Sequence, residues 1–190
     1  QGARIVSEQV IPDGGYEVTM TVSMFGVSNS LASAVMPRPA AVESFPQPVA
    51  VVTPSVPASI HVDVTVTQQG SSAAAAPAGK AIGGYTGLIV DCSGLGLKPV
   101  MSPVIKNASG QPIYGYKNLD YDRVVSNGMA GYTSDVHNAV RAGTNPLVVR
   151  AIGLDNHNGN PILATADANR VLIENGATGF LDRTAVVFIR

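Results

Sequence analysis

The sequence is poor in several residue types on which common functions depend. It has one cysteine, no tryptophan and 13% charged residues, with a formal net charge of -1 over 190 residues. A single cysteine excludes an internal disulfide framework and any site with several cysteine ligands. A nearly neutral chain carries no basic field for nucleic acid or an acidic membrane surface, so we expect no nucleic-acid partner.

Long apolar runs are also missing, because Gly, Pro, Ser or a charged residue interrupts every apolar stretch. A membrane-spanning helix needs roughly 20 such residues, so the sequence predicts no membrane-spanning segment. The apolar content is nevertheless 45%, which is enough for a folded core. The chain opens on "QGARIV" without an initiator methionine, which indicates a processed or cropped product. A charge-poor surface of this kind favours association.

The pattern along the chain predicts an α+β fold in three parts. Residues 1–36 form a partial unit, in which two β-prone runs flank the turn sequence "PDGG" and a short helix is capped by Ser28 or Asn29. Alternation of apolar with polar residues in the second run is typical of a half-buried strand. The apolar residues are Val18, Met20, Val22 and Met24. A hairpin is marginal alone, so we expect its packing partners upstream of Gln1 or on another chain.

Residues 37–80 are predicted to be an extended linker arm. Prolines recur from Pro37 to Pro57, and "QGSSAAAAPAGKAIGG" is of low complexity. Between them, residues 59–68 ("SIHVDVTVTQ") alternate strictly between apolar and polar side chains, which predicts a strand.

Residues 81–190 are predicted to be an α+β domain with two helices on a mixed or antiparallel sheet. "GYTGLIVD", "PLVVRAIGL" and "RTAVVFIR" are apolar strands, and "NASG" is the turn of a hairpin near a sheet edge. Helical spacing extends from Tyr121 to Val140, with Asn118 or Asp120 as the cap and a weak point at Gly128 and Gly131. A second helix opens at Thr165 and ends near "ENG".

No motif in the chain predicts catalytic, cofactor-binding or metal-binding residues. The stretch "DCSGLGLKP", which begins at Asp91, lacks the Gly-Lys-Ser/Thr order of a phosphate loop, because Lys98 follows a leucine and precedes Pro99. The downstream prolines also exclude the helix that such a loop precedes. Cys92 has no histidine at a spacing typical of thiol enzymes, and "DNHNGNP" lacks the regular acids of a calcium loop. We therefore expect no cofactor and no enzymatic activity.

Two alternatives remain open at this stage. The loop after Asp91 could bind a ligand in an envelope module, which requires a concave pocket near Gly94 and Gly96. Less favoured is a hydrolase, in which carboxylates converge in space from among five aspartates, namely Asp91, Asp120, Asp122, Asp135 and Asp167.

Two parts of the sequence resemble bacterial envelope proteins. "GARIV…PDGGYEVTMTVSMFG" resembles the closing half of the FlgP-type envelope lipoprotein domain, which is associated with the flagellum and the outer membrane. The runs "YTGLIVDCSGLGLKPVMSPVIKNASGQPIYG", "RAGTNPLVVRA", "ADANRVL" and "FLDRTAVVF" are similar to a region that follows such domains in uncharacterised envelope proteins.

The resemblance implies a periplasmic or extracellular protein of the cell envelope, with envelope or outer-membrane partners, and it brings no catalytic residues. Together with the composition, it predicts a structural protein that assembles with itself into a ring or filament. Strand addition from the 37–80 arm, by Val49–Val56 or Ile60–Val66, is the expected mechanism.

Overall fold

A computed structural model describes residues 2–49 and 79–190. The predicted strand at 59–68 lies outside the described residues. The described elements are, in chain order, β1 (Arg4–Val10), β2 (Tyr16–Thr21), α1 (Leu31–Val35), β3 (Gly87–Asp91), β4 (Ile105–Asn107), β5 (Pro112–Tyr114), α2 (Tyr121–Asn127), β6 (Gly131–Thr133), β7 (Pro146–Asp155), β8 (Asn160–Leu163), α3 (Thr165–Thr178) and β9 (Val186–Ile189). This arrangement confirms the predicted α+β class.

Two sheets are present in the described parts of the chain. β1 and β2 form an antiparallel hairpin, and the other strands form a seven-stranded mixed sheet in the order β5-β4-β8-β7-β3-β9-β6. β3 lies between β7 and β9 and runs parallel to both. β4 and β5 form the hairpin predicted around "NASG", with β5 at the sheet edge.

The larger sheet has two differently covered faces. Leu88 and Val90 of β3 point into the main core, which contains buried residues of all three helices. Ile89 points to the opposite face, where it packs with Ala139 and Ala142 of a short segment of 3-10 turns. A strand covered on both faces needs an almost continuous apolar sequence, and "GLIV" supplies one.

The N-terminal helix is part of this core. Ala32 is fully buried and Met36 is nearly so, and both belong to the main apolar cluster. The cap is Ser30, whose hydroxyl accepts a bond from Ser33 N at 3.0 Å, so the predicted caps Ser28 and Asn29 are wrong. Asn29 has a φ of +55°, which differs from the extended backbone of a cap residue.

The helix predicted from Tyr121 to Val140 is shorter in the structure. Asp120 caps α2 as expected, and the helix ends at Asn127, at the weak point predicted at Gly128, which takes a φ of +71°. The chain then forms the short edge strand β6, and Val140, expected on a helix face, is 83% exposed. The periodicity of the apolar residues therefore continued beyond the true end of the helix.

We predict that Gly87→Ala destabilises the fold, because a β-carbon at this position would lie 2.4 Å from Ala142 O and 2.6 Å from Ala185 O. Backbone atoms cannot move aside cheaply, so the free energy of unfolding should fall by about 1–3 kcal/mol. Gly153→Ala in β7 is the matched control, since a β-carbon there has no atom within 4 Å. Urea unfolding of both variants checks the prediction, and equal midpoints would contradict it.

Candidate functional site

The hairpin of β1 and β2 is amphipathic, and it is exposed along its whole length. On one face, Tyr16 lies opposite Val10, and Met20 lies opposite Ile5. Val18 lies between them on the same face of β2, opposite Glu8, whose carboxylate separates the two apolar pairs on β1. We call the five apolar residues the hairpin face. The other face is polar and carries a 2.8 Å hydrogen bond between Gln9 and Glu17.

The hairpin face is not buried by any described part of the chain. Val18 is 44% exposed, Met20 56% and Tyr16 67%. Val22 and Met24 continue the alternation and are 44% and 52% exposed, so the described residues leave the predicted apolar face of the strand about half exposed. Several large apolar side chains exposed together on one face mark a candidate interaction site in a folded protein.

The hairpin is attached to helix α2 and to the main core through the residues that follow it. Gly26 N donates to Val125 O at 2.5 Å, and Leu31 N donates to Ser23 O at 2.8 Å. With Ala32 buried in the core, these bonds fix the base of the hairpin while its strands remain in solvent. The hairpin face is therefore held in place at its base by contacts with the folded domain.

Residues 37–49 lack regular secondary structure but run across the larger domain. The Arg38 guanidinium pairs with Asp122 at 2.6 Å, and Glu43 N donates to Lys117 O at 2.8 Å. Further along, the ring of Phe45 stacks on Tyr114 with 6.5 Å between centroids. The first part of the predicted linker arm is thus bound to the protein's own surface.

Helix α3 holds the described residues on either side of segment 50–78. Asn169 binds both backbone groups of Val49, accepting from its N at 2.8 Å and donating to its O at 2.6 Å. The fully buried Glu174 accepts from Ile82 N at 2.8 Å and from Gly83 N at 3.2 Å. Sequence reasoning missed both side chains, because nothing local marks a polar residue whose partner is a distant backbone.

Arg170 accompanies Glu174 on the same helix. Its Nε lies 2.9 Å from Oε1 of Glu174, and its side chain is 10% exposed. The guanidinium lies 5.9 Å from the ring of Tyr85. This buried pair compensates the charge of Glu174 and supports its role in holding residues 82 and 83.

The loop after Asp91 is an exposed bend. Asp91 Oδ1 accepts from Ser93 N at 2.9 Å, and the hydrogen bonding to Ser93 holds the pKa of Asp91 below its ordinary value, with a smaller contribution from Arg150. A β-carbon at Gly94 would have open space around it, and Gly94 and Gly96 take positive φ angles. These glycines serve the bend, which then returns to the core through the buried Leu97.

Cys92 lies beside this loop but has the environment of a core residue. Its side chain is fully buried, and desolvation raises the pKa of the thiol to about 12, assisted by the charge of Asp91. His137 and His157 are exposed, and each lies in a turn. The nucleophilic form of this cysteine is therefore strongly disfavoured in the folded protein.

Four of the five aspartates considered for hydrolysis make structural contacts, and Asp122 among them pairs with Arg38. Asp120 and Asp135 cap helical turns by accepting from Arg123 N and His137 N, both at 2.9 Å. Burial raises the pKa of Asp167 in the first turn of α3. Within residues 2–49 and 79–190, no three His, Cys, Asp or Glu side chains are grouped so that they could hold a metal ion.

"DNHNGNP" is the tight turn between β7 and β8, as its composition predicts. Asn156, His157 and Asn158 all take positive φ angles, and Asp155 forms a 2.6 Å ion pair with Lys106. The hydrogen bonding to Lys106 also lowers the pKa of Asp155. The polar residues of this stretch therefore serve to reverse the chain between β7 and β8.

The described fold is an α+β domain that carries an amphipathic hairpin. Residues 87–190 match the family model of the second domain of Treponema pallidum Tp0624. The match covers more than half of the chain, which therefore belongs to this family. No family model of the FlgP type matches, and no curated protein matches the chain.

None of the helices in the described ranges is long and apolar enough to cross a bilayer. This agrees with the sequence prediction for those residues.

We predict that Cys92 resists alkylation in the folded protein. A pKa of about 12 leaves a thiolate fraction of about one part in ten thousand at pH 8. Labelling by iodoacetamide, followed by mass spectrometry, should be at least about 100-fold slower than in the urea-unfolded chain. Comparable rates in the two states would show that the thiol is accessible and ionised.

Proposed function

We propose that the protein is a non-enzymatic structural protein of the bacterial cell envelope or cell surface that assembles with itself into a ring or filament. The observation that carries the proposal is the uncovered hairpin face. Its five large apolar side chains lie together on a strand pair that is attached firmly at its base. A second copy of the chain is the proposed occupant of this surface.

The free energy available from this surface favours association. Complete burial of one large apolar side chain contributes about 1.5–3 kcal/mol, and the hairpin face offers several that are about half exposed. The formal net charge of the chain is -1, so repulsion between identical copies is small.

The hairpin is also the best acceptor for an added strand. β1 has seven residues and β2 has six, whereas the edge strands of the larger sheet, β5 and β6, have three each. A longer edge presents more unpaired backbone groups, so strand addition at the hairpin forms more hydrogen bonds.

The strand that is added must come from a part of the arm with free backbone groups. Both backbone groups of Val49 are already bonded to Asn169, which disfavours a donor that begins at Val49. The alternating sequence from Ile60 to Val66 has the period of a half-buried strand and would place its valines beside the apolar face of β2. We therefore assign the donor strand to Ile60–Val66 of a neighbouring copy.

The envelope location is supported by the sequence resemblance of the hairpin to the FlgP-type domain and by the charge-poor composition. The same resemblance favours outer-membrane partners and a flagellum-associated role. The absence of enzymatic activity is supported by the structural roles of the aspartates and by the buried thiol.

We predict that Met20→Lys abolishes the oligomer, because a charged side chain opposite Ile5 on the hairpin face would have to be desolvated in the assembly. Thr19→Lys is the matched control: it adds the same charge at the preceding residue, on the polar face of β2. Sedimentation velocity at increasing concentration should show oligomers for the unmodified chain and for Thr19→Lys.

Met20→Lys should sediment as a monomer at the same concentrations. A monomeric unmodified chain, or equal association of both variants, would overturn the proposal.

A further inference from the structure

A cleft of about 420 Å³ lies at the end of the larger sheet where β9 begins. It is lined by five residues, namely Asn127, Arg141, Arg183, Thr184 and Ala185. Asn127 ends α2, and Ala185 immediately precedes β9. Asp91 ends β3, which runs parallel to β9, so the loop after Asp91 lies at the opposite end of the strands. The whole cleft falls within the residues of the family match.

Arg141 is half-buried in the wall of the cleft and binds only neutral acceptors. Its Nε donates to Thr184 O at 2.8 Å, and its Nη2 donates to Asn127 O at 2.8 Å and to Gly128 O at 2.6 Å. The same Nη2 lies 3.1 Å from the Thr184 hydroxyl oxygen. Burial lowers the pKa of Arg141, because the charged guanidinium loses hydration there.

Arg183 adds a second positive charge to the same cleft. Its Nη1 donates to Thr178 O at 2.5 Å, which is again a neutral acceptor. The adjacent Asp182 accepts from Asn175 Nδ2 at 3.2 Å instead. Within residues 2–49 and 79–190, neither Arg141 nor Arg183 has a carboxylate within ion-pair distance.

We propose that this cleft binds an oxyanion, either a phosphate or a carboxylate. Neutral oxygens orient the Arg141 guanidinium through Nε and Nη2 without a carboxylate to pair its charge, and Arg183 lines the same cleft. Guanidinium groups bind phosphate and carboxylate oxygens through charge-assisted hydrogen bonds. Asn127 and Thr184 line the cleft as further polar residues.

The Arg141 contacts also make the site rigid before any ligand arrives. Thr184 has a φ of +56°, an uncommon conformation for threonine, and it is held by the bond from Arg141 Nε. A guanidinium held in this way loses less conformational entropy on binding. The proposal is independent of assembly, because none of these residues belongs to the hairpin.

Isothermal titration calorimetry with inorganic phosphate, at ionic strength held constant with sodium chloride, tests the proposal. We expect saturable binding to the full chain, with Arg183→Gln weakening it about tenfold through loss of charge-assisted bonds. Arg150→Gln is the matched control, since it removes the same charge from an exposed residue at the far end of the sheet.

A second titration with succinate distinguishes the two ligand chemistries. Saturable binding of either anion that Arg183→Gln weakens and Arg150→Gln leaves unchanged supports the site. No saturable binding of either anion to the unmodified chain would overturn the proposal. Equal weakening by both substitutions would also overturn it, because it would indicate a response to net charge alone.

Discussion

The central strand β3 is the element on which the rest of the structure depends. It is paired on both sides, with β7 and with β9, and its first residue has no room for a side chain. Leu88 and Val90 define the face on which the helices pack, and Ile89 defines the other. Both layers of the domain are therefore positioned by five consecutive residues.

The residues before the family domain complete this core and also create the exposed surface. Ala32 and Met36 enter the main core, and the 37–49 segment is bound across the domain as far as α3. The hairpin strands have no comparable contacts with the other residues of ranges 2–49 and 79–190. The N-terminal region thus covers part of the main core and leaves the hairpin face exposed. This exposed face is the physical basis of the proposed self-assembly.

The elements predicted correctly from the sequence are those with a local physical cause. The apolar runs around β3, β7 and β9 identify strands of the larger sheet, the turn sequence identifies the hairpin, and Asp120 identifies the start of α2. The end of α2 was predicted too late, because apolar spacing alone does not report the positive φ at Gly128.

The remaining features depend on contacts between distant residues. Glu174 and Asn169 bind backbone groups about 90 and 120 positions away, and Arg141 binds carbonyls of two separate segments. Such side chains have no signature in a local window of sequence. The exposure of the hairpin face was likewise not predictable from a local window, because it depends on which surfaces the rest of the fold covers.

The central claim is tested most directly by photo-crosslinking between copies that differ in mass. Benzoyl-phenylalanine is placed at Met20 of isotopically heavy chains, which are mixed with light chains and irradiated. The account predicts heavy hairpin peptides joined to light peptides from Ile60–Val66. Crosslinks confined to single heavy chains, or no crosslinks at all, would contradict it.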